Sequence, residues 1–272
     1  MALDADPGLF GPSSMAWRID RELVVLAGAT AAFLLQLADP GVAAGVAQHS
    51  NFRDDPYGRL RRTLTVTFAL AFGTTARAER AIGHLNAIHR SVSGVVPETG
   101  ERYTAHDPER LLWVHATLVD TALRIYERYV EPLSAEEAEA YHDESRPVAI
   151  RLGVPGDQVP ATLAELRAWM AYRINGGAVS VTPTARALSH SVLYPSRFPP
   201  RFVWDAAHLA SLSVLPPEIL RGYGIRWSES RARAMDRVAS ASRRVLPFVP
   251  APLRFVPPAR LAERRMLLPS AS

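Results

Sequence analysis

Apolar residues recur along this chain at helical spacing, and no stretch sustains the strict alternation of a half-buried strand. Helices must therefore build the core. The run LVVLAGATAAFLLQLA (23–38) is the most hydrophobic stretch, but it falls short of the ~20 residues that a bilayer span requires. It reads as part of a buried helix over 21–37, closed by Asp39–Pro40. Further helices are expected over 40–49, 57–72 and 75–93. The last carries Ala78, Ile82, Leu85, Ile88, His89 and Val92 on one stripe. Asp107–Pro108–Glu109 is a strong start signal (an N-cap, proline at the first position, an acid in the first turn), and the helix it opens runs to about Val130. Its apolar face holds Leu111, Leu112, His115, Leu118, Val119 and Ala122. More helices are expected over 134–151, 161–174, 184–193, 204–213, 216–222 and 228–245, and residues 94–106 read as a loop. AVSVT (178–182) is the one short strand candidate.

There is no internal repeat and no linker long enough to separate two units. The expectation is an all-α, single multi-helix domain over 21–246. Residues 1–20 read as a flexible N-terminal segment, without the basic start and apolar core of a signal peptide. Residues 247–272 read as a proline-rich C-terminal tail wrapping the surface.

Composition removes several chemistries. All 31 basic residues are arginine, so no lysine amine can act as base, Schiff-base former or metal ligand. Cysteine is absent, which excludes disulfides, thiolate catalysis and cysteine-ligated iron or zinc. A net charge of +4, with arginine pairs at 61–62, 243–244 and 264–265 rather than dense clusters, argues against a nucleic-acid partner. No glycine-rich phosphate loop, HExxH or GxSxG is present.

His84 and His89 are five residues apart and diverge by about 140° on a helix, so they cannot easily share a metal. His84 falls with Arg77, Arg80 and Ser91 on a polar side. His89 and His115 each sit within an apolar stripe, on helices that a short loop could bring together. Spacing alone explains them equally as hydrogen-bonded core residues, but burial also favours the neutral imidazole that binds metals. Arg59, Arg62 and Thr63 share one helix face, either solvated or gathered as donors at the polar end of a pocket. YHDES (141–145) has metal-like composition, but its residues diverge on a helix and it reads as a solvated helix end.

Four segments in family order, HSNFRDDPYGRLRRTL (49–64), AIHRSVSG (87–94), YTAHDPERLLWVHATLVDT (103–121) and VLPPEILRGYGIRWS (214–228), resemble the catalytic domain shared by latex-clearing (rubber) oxygenases and MpaB-type oxygenases. The resemblance implies an all-α fold holding one haem b between helices, with a histidine on the iron. Its Arg-x-x-Lys-Thr and His-x-x-Val patterns fall on Arg59, Arg62 and Thr63, and on His89 with Val92. His89 is thus the first choice for the iron ligand and His115 the second. Arg59, Arg62 and Thr63 would orient propionates or bound oxygen.

Two departures matter. Arg62 replaces a lysine that can occupy the distal iron position, which implies a side open to dioxygen or substrate. GVAAGVAQH (41–49) also lacks the family's upstream glutamate, which argues against rubber itself as substrate. The resemblance implies a haem-dependent oxygenase acting on an apolar, isoprenoid or unsaturated small molecule; a non-catalytic haem sensor or carrier is the alternative. The expected setting is cytoplasmic, at most peripheral to a membrane, and compatible with a homo-oligomer.

Overall fold

The computed structural model describes residues 6–50, 56–194 and 200–267, except for the side chains of Pro56, Tyr57, Arg59 and Leu60. Helices dominate, as the periodicity requires. The centre is α6 (Pro108–Tyr129). Asp107 caps it, its carboxylate accepting from the Glu109 and Arg110 amides at 2.9 and 3.1 Å. Trp113, Ala116, Leu123 and Ile125 of this helix are fully enclosed, each large side chain stabilising the fold by about 1.5–3 kcal/mol. Helix α2 (Ala29–Leu37) lies along one side, and Leu35 gives its carbonyl to Trp113 Nε1 at 3.0 Å. On another side is α7 (Ala135–Arg151), opened by a reciprocal capping box between Ser134 and Glu137. Next to it is α8 (Leu163–Asn175), opened by the same device at Thr162 and Glu165.

The segment read as one helix over 21–37 is broken. A 3-10 turn over Leu23–Gly28 precedes α2, and Gly28 lies where α6 crosses. A Cβ there would come within 2.8 Å of Thr121 Cγ2. AVSVT does not form a strand either. The Val179 amide closes the end of α8 by donating to Arg173 O at 3.0 Å, and Thr182 caps α9 (Pro183–Leu193). Conversely, the loop expected over 94–106 contains an antiparallel hairpin, β1 (Ser93–Val95) with β2 (Arg102–Thr104). Three-residue strands are too short to show a period.

α3 (Pro40–His49) starts at the buried Asp39. This carboxylate caps Gly41 and Val42 and pairs with Arg173 of α8 at 2.9 Å and Arg110 of α6 at 3.4 Å, tying three helices together. Helices α4 (Pro56–Phe72) and α5 (Thr75–Ser91) fold back on each other through Gly73–Thr74 and form a hairpin at the edge of the body. α1 (Met15–Asp20) buries Trp17 edge-on to Phe72 of α4, with ring centroids 5.0 Å apart.

After α10 (Arg201–Leu212), α11 (Pro217–Gly222) and α12 (Glu229–Val245), the chain returns through a 3-10 turn (Leu246–Phe248) and α13 (Ala251–Arg254) to α14 (Pro257–Leu267). Val256, Ala259 and Ala262 pack with Trp17 and Phe72. Among the described residues no single helix is long and apolar enough to cross a membrane.

Candidate functional site

His89 is held near the C-terminal end of α5, seven residues beyond the buried Ile82 and so on the same inward face. The β1–β2 hairpin fixes its position. This hairpin leaves α5 at Val92 and is fastened to α3 by three bonds: Tyr103 Oη donates to Gln48 Oε1 at 2.8 Å, Gln48 Nε2 donates to Val95 O at 2.8 Å, and His49 Nε2 lies 3.0 Å from Ser93 O. Gly94 is required there, because a Cβ would approach Gln48 Oε1 to 2.4 Å and Tyr103 Oη to 2.8 Å. On its other side α5 is tied to the end of α7, where Asn86 Nδ2 donates to Arg151 O at 2.9 Å.

His89 Nδ1 is buried and has no hydrogen-bond partner among the described residues. Burial pushes its pKa down, and the nearby His106 pushes the same way, so the ring is held neutral. His106 in turn rests on Gly153, just past α7. That residue has φ +112°, and a Cβ on it would lie 3.1 Å from the His106 ring and 3.4 Å from Leu111 Cδ1.

His115 lies deeper, on α6. Burial, and then the nearby His142, bring its pKa down to about 4. Its Nε2 is 3.4 Å from Ser145 Oγ, which itself donates to His142 O at 2.7 Å. His142 Nε2 lies 3.1 Å from Pro160 O, and its Nδ1 is buried without a partner among the described residues. The two candidate histidines thus couple to different neighbours, His89 to His106 and His115 to His142.

YHDES is therefore not a solvated helix end. His142 and Ser145 are buried in mid-α7, only Asp143 is exposed, and Glu144 accepts from the Met15 and Ala16 amides at the start of α1. Sequence reasoning missed both residues, although they share a face with Ala138, Tyr141 and Ala149 and could have been found from that spacing. His84, Arg77, Arg80 and Ser91 are exposed, as their polar side implied.

Arg62 and Thr63 occupy exposed positions in the N-terminal half of α4, and the Arg59 side chain lies outside the described residues. Positions equidistant from the Gly73–Thr74 turn lie at about the same level of the hairpin. That places the Arg59 backbone opposite Ile88–His89, and Arg62 opposite Leu85–Asn86.

Two large aliphatic side chains stand uncovered beside the histidines. Ile88 is 43% exposed, and Leu118, one turn beyond His115 on α6, is 47% exposed. Among the described residues no group of three or more His, Asp or Glu side chains is arranged to hold a bare metal ion. A haem needs no such group, because its porphyrin supplies four nitrogens and the protein need add only one axial imidazole. The buried, unpartnered Nδ1 of His89, with Ile88 uncovered next to it in α5, is a donor of the kind that requirement calls for.

Comparison with known proteins gives a consistent picture. The sequence model described as "ER-bound oxygenase mpaB/B'/Rubber oxygenase, catalytic domain" matches residues 17–244. The chain is 25% identical over 217 residues to "Uncharacterized protein Mb2261" of Mycobacterium bovis and to "Uncharacterized protein Rv2237" of Mycobacterium tuberculosis. Each match covers 77% of this chain and 84% of the relative. No solved structure matches significantly.

Proposed function

The chain belongs to the family of mpaB/B' and rubber oxygenase catalytic domains, and from this premise we propose that it is a haem b-dependent oxygenase acting on an apolar small molecule of isoprenoid or unsaturated type. The observation that carries the reading is the buried, unpartnered Nδ1 of His89 on a ring that its surroundings keep neutral. Haem, when bound, supplies the binding and activation of dioxygen for attack on an unsaturated bond.

The residues divide the remaining work. His89 would hold the haem iron through its unpartnered ring nitrogen, and the hairpin fastened to α3 would fix the orientation of that ring. His115, already near Ser145, is the second choice as ligand. Ile88 and Leu118 give an apolar cofactor or substrate surfaces to cover, which excludes water from the reacting region. Arg62 has no lone pair to give iron, so it donates hydrogen bonds or balances the propionate charge. Arg59, whose backbone lies at the level of His89, would share that work, and Thr63 would add a hydroxyl donor.

A second reading, a haem sensor or carrier without turnover, draws on the missing carboxylate in residues 41–49. Turnover separates the two. Haem-loaded protein given oxygen and a panel of unsaturated apolar compounds should consume oxygen in step with loss of one compound, and Arg62→Ala should slow this while retaining haem. Reversible gas binding with no oxygen consumption across the panel would favour the sensor.

A further inference from the structure

Val245–Leu253 (VLPFVPAPL) carries no charged residue, yet most of it faces outward: Phe248 is 85% exposed and Leu253 70%. It continues a stripe on the outer face of α12, where Val238 and Val245 sit seven residues apart beside Arg237 and Arg244, which are also seven apart. The inner face of the same helix is accounted for, with Met235 and Ala239 buried and Ser242 Oγ donating to Tyr129 O at 2.7 Å. The uncovered tip stands on a fixed base. Arg254 grips the buried Glu22 carboxylate through Nη2 at 2.6 Å and Nε at 2.9 Å, Arg243 donates to Arg128 O at 2.8 Å, and Val256 N donates to Arg21 O at 2.8 Å. An apolar patch held out in this way and rimmed by charge marks a docking surface.

The charge selects the occupant. Residues 237–265 hold seven arginines against one carboxylate, Glu263, so this segment carries +6 while the whole chain carries +4; the remainder is −2 by difference. Arg237, Arg244 and Arg264 are exposed and belong to no ion pair among the described residues. A second copy of the same patch would oppose like charges across a two-fold interface. A bilayer with anionic headgroups has the complementary arrangement, with negative charge at the surface for the arginines and hydrocarbon beneath it for the aromatic and aliphatic tip.

We propose that the outer face of α12 and the Val245–Leu253 tip dock the protein on anionic phospholipid membranes, with Phe248 and Leu253 inserted and Arg237 and Arg244 against the headgroups. This does not depend on the haem reading. The test is flotation of the full chain with phosphatidylcholine vesicles, with and without phosphatidylglycerol, at low and high salt. The protein should float with the anionic vesicles and be released by salt. Phe248→Ser with Leu253→Ser should weaken binding by roughly tenfold or more. Arg237→Gln with Arg244→Gln should weaken it by roughly fivefold per arginine. All four side chains are exposed, so circular dichroism and melting should match wild type. Failure to bind either vesicle would overturn the proposal. So would equal binding to neutral vesicles with no loss in the arginine variant. Sedimentation showing a dimer that the serine variant dissolves, with no vesicle binding, would assign the patch to self-association instead.

Discussion

A histidine on an apolar helix face must satisfy both ring nitrogens or lend one to something else, and His89 has a nitrogen to lend. Burial also gives this molecule two opposing pH dependences. His115 refuses a proton until the pH falls to about 4, whereas an unfolded histidine takes one near its ordinary value of 6.5. In that window the unfolded state binds more protons, so this group's contribution to stability is lost as pH falls. Asp20 behaves in the opposite sense. Enclosure pushes its carboxyl up to about 7 despite the Tyr141 hydroxyl donating to it at 2.9 Å, so its contribution is present below the usual carboxylate range and is lost as pH rises to 7. Asp20→Asn should therefore gain stability over wild type at about pH 8, by on the order of 2 kcal/mol, and little at about pH 4. Urea denaturation at the two pH values checks this; a gain that does not grow with pH would show that the fold does not raise the Asp20 carboxyl above its ordinary range.

At the scale of elements, the helices were legible because long amphipathic runs with caps announce themselves. Asp107–Pro108 for α6 is the clearest case, and its cap is formed; Asp39–Pro40, read only as the close of the preceding helix, also caps α3. What stayed hidden was decided by tertiary contact. The segment before α2 turns as a 3-10 helix up to Gly28, where only a residue without Cβ fits against Thr121 of α6, and Thr182 gives its side chain to α9 rather than to a strand. Of the candidate site, the two stripe histidines could be read from spacing, but His106 and Gly153 could not, since only the fold brings them together. Gly153→Ala should cost about 1–2 kcal/mol, because φ +112° disfavours a side chain and the new Cβ meets the His106 ring. Thermal melting measures it, and an unchanged melt would mean that the α7 end relaxes freely. Leu118 offers a sharper contrast. As an exposed residue, Leu118→Gln should change the stability of the haem-free protein by within about 0.5 kcal/mol. If haem covers that face, the same change lowers haem affinity severalfold, which a haem titration would detect.

For the whole molecule, the chain closes on itself through Glu22. The carboxylate is buried near the start of the core, and Arg254 reaches it from 232 residues away. Arg254→Ala strands that carboxylate and should cost about 3–5 kcal/mol, read as a lower melting temperature; Glu22→Gln with Arg254→Ala should recover part of the loss. The same closure seats α14 against α4 and Trp17, and so braces the α4–α5 hairpin that carries His89. One spectrum tests the central claim, that this hairpin presents an axial imidazole to haem. Wild-type protein titrated with haem should saturate at one equivalent with a histidine-ligated Soret band, His115→Ala should keep that band, and His89→Ala should lose it. A wild-type band in His89→Ala would contradict the assignment, and no band in any of the three would contradict haem binding altogether.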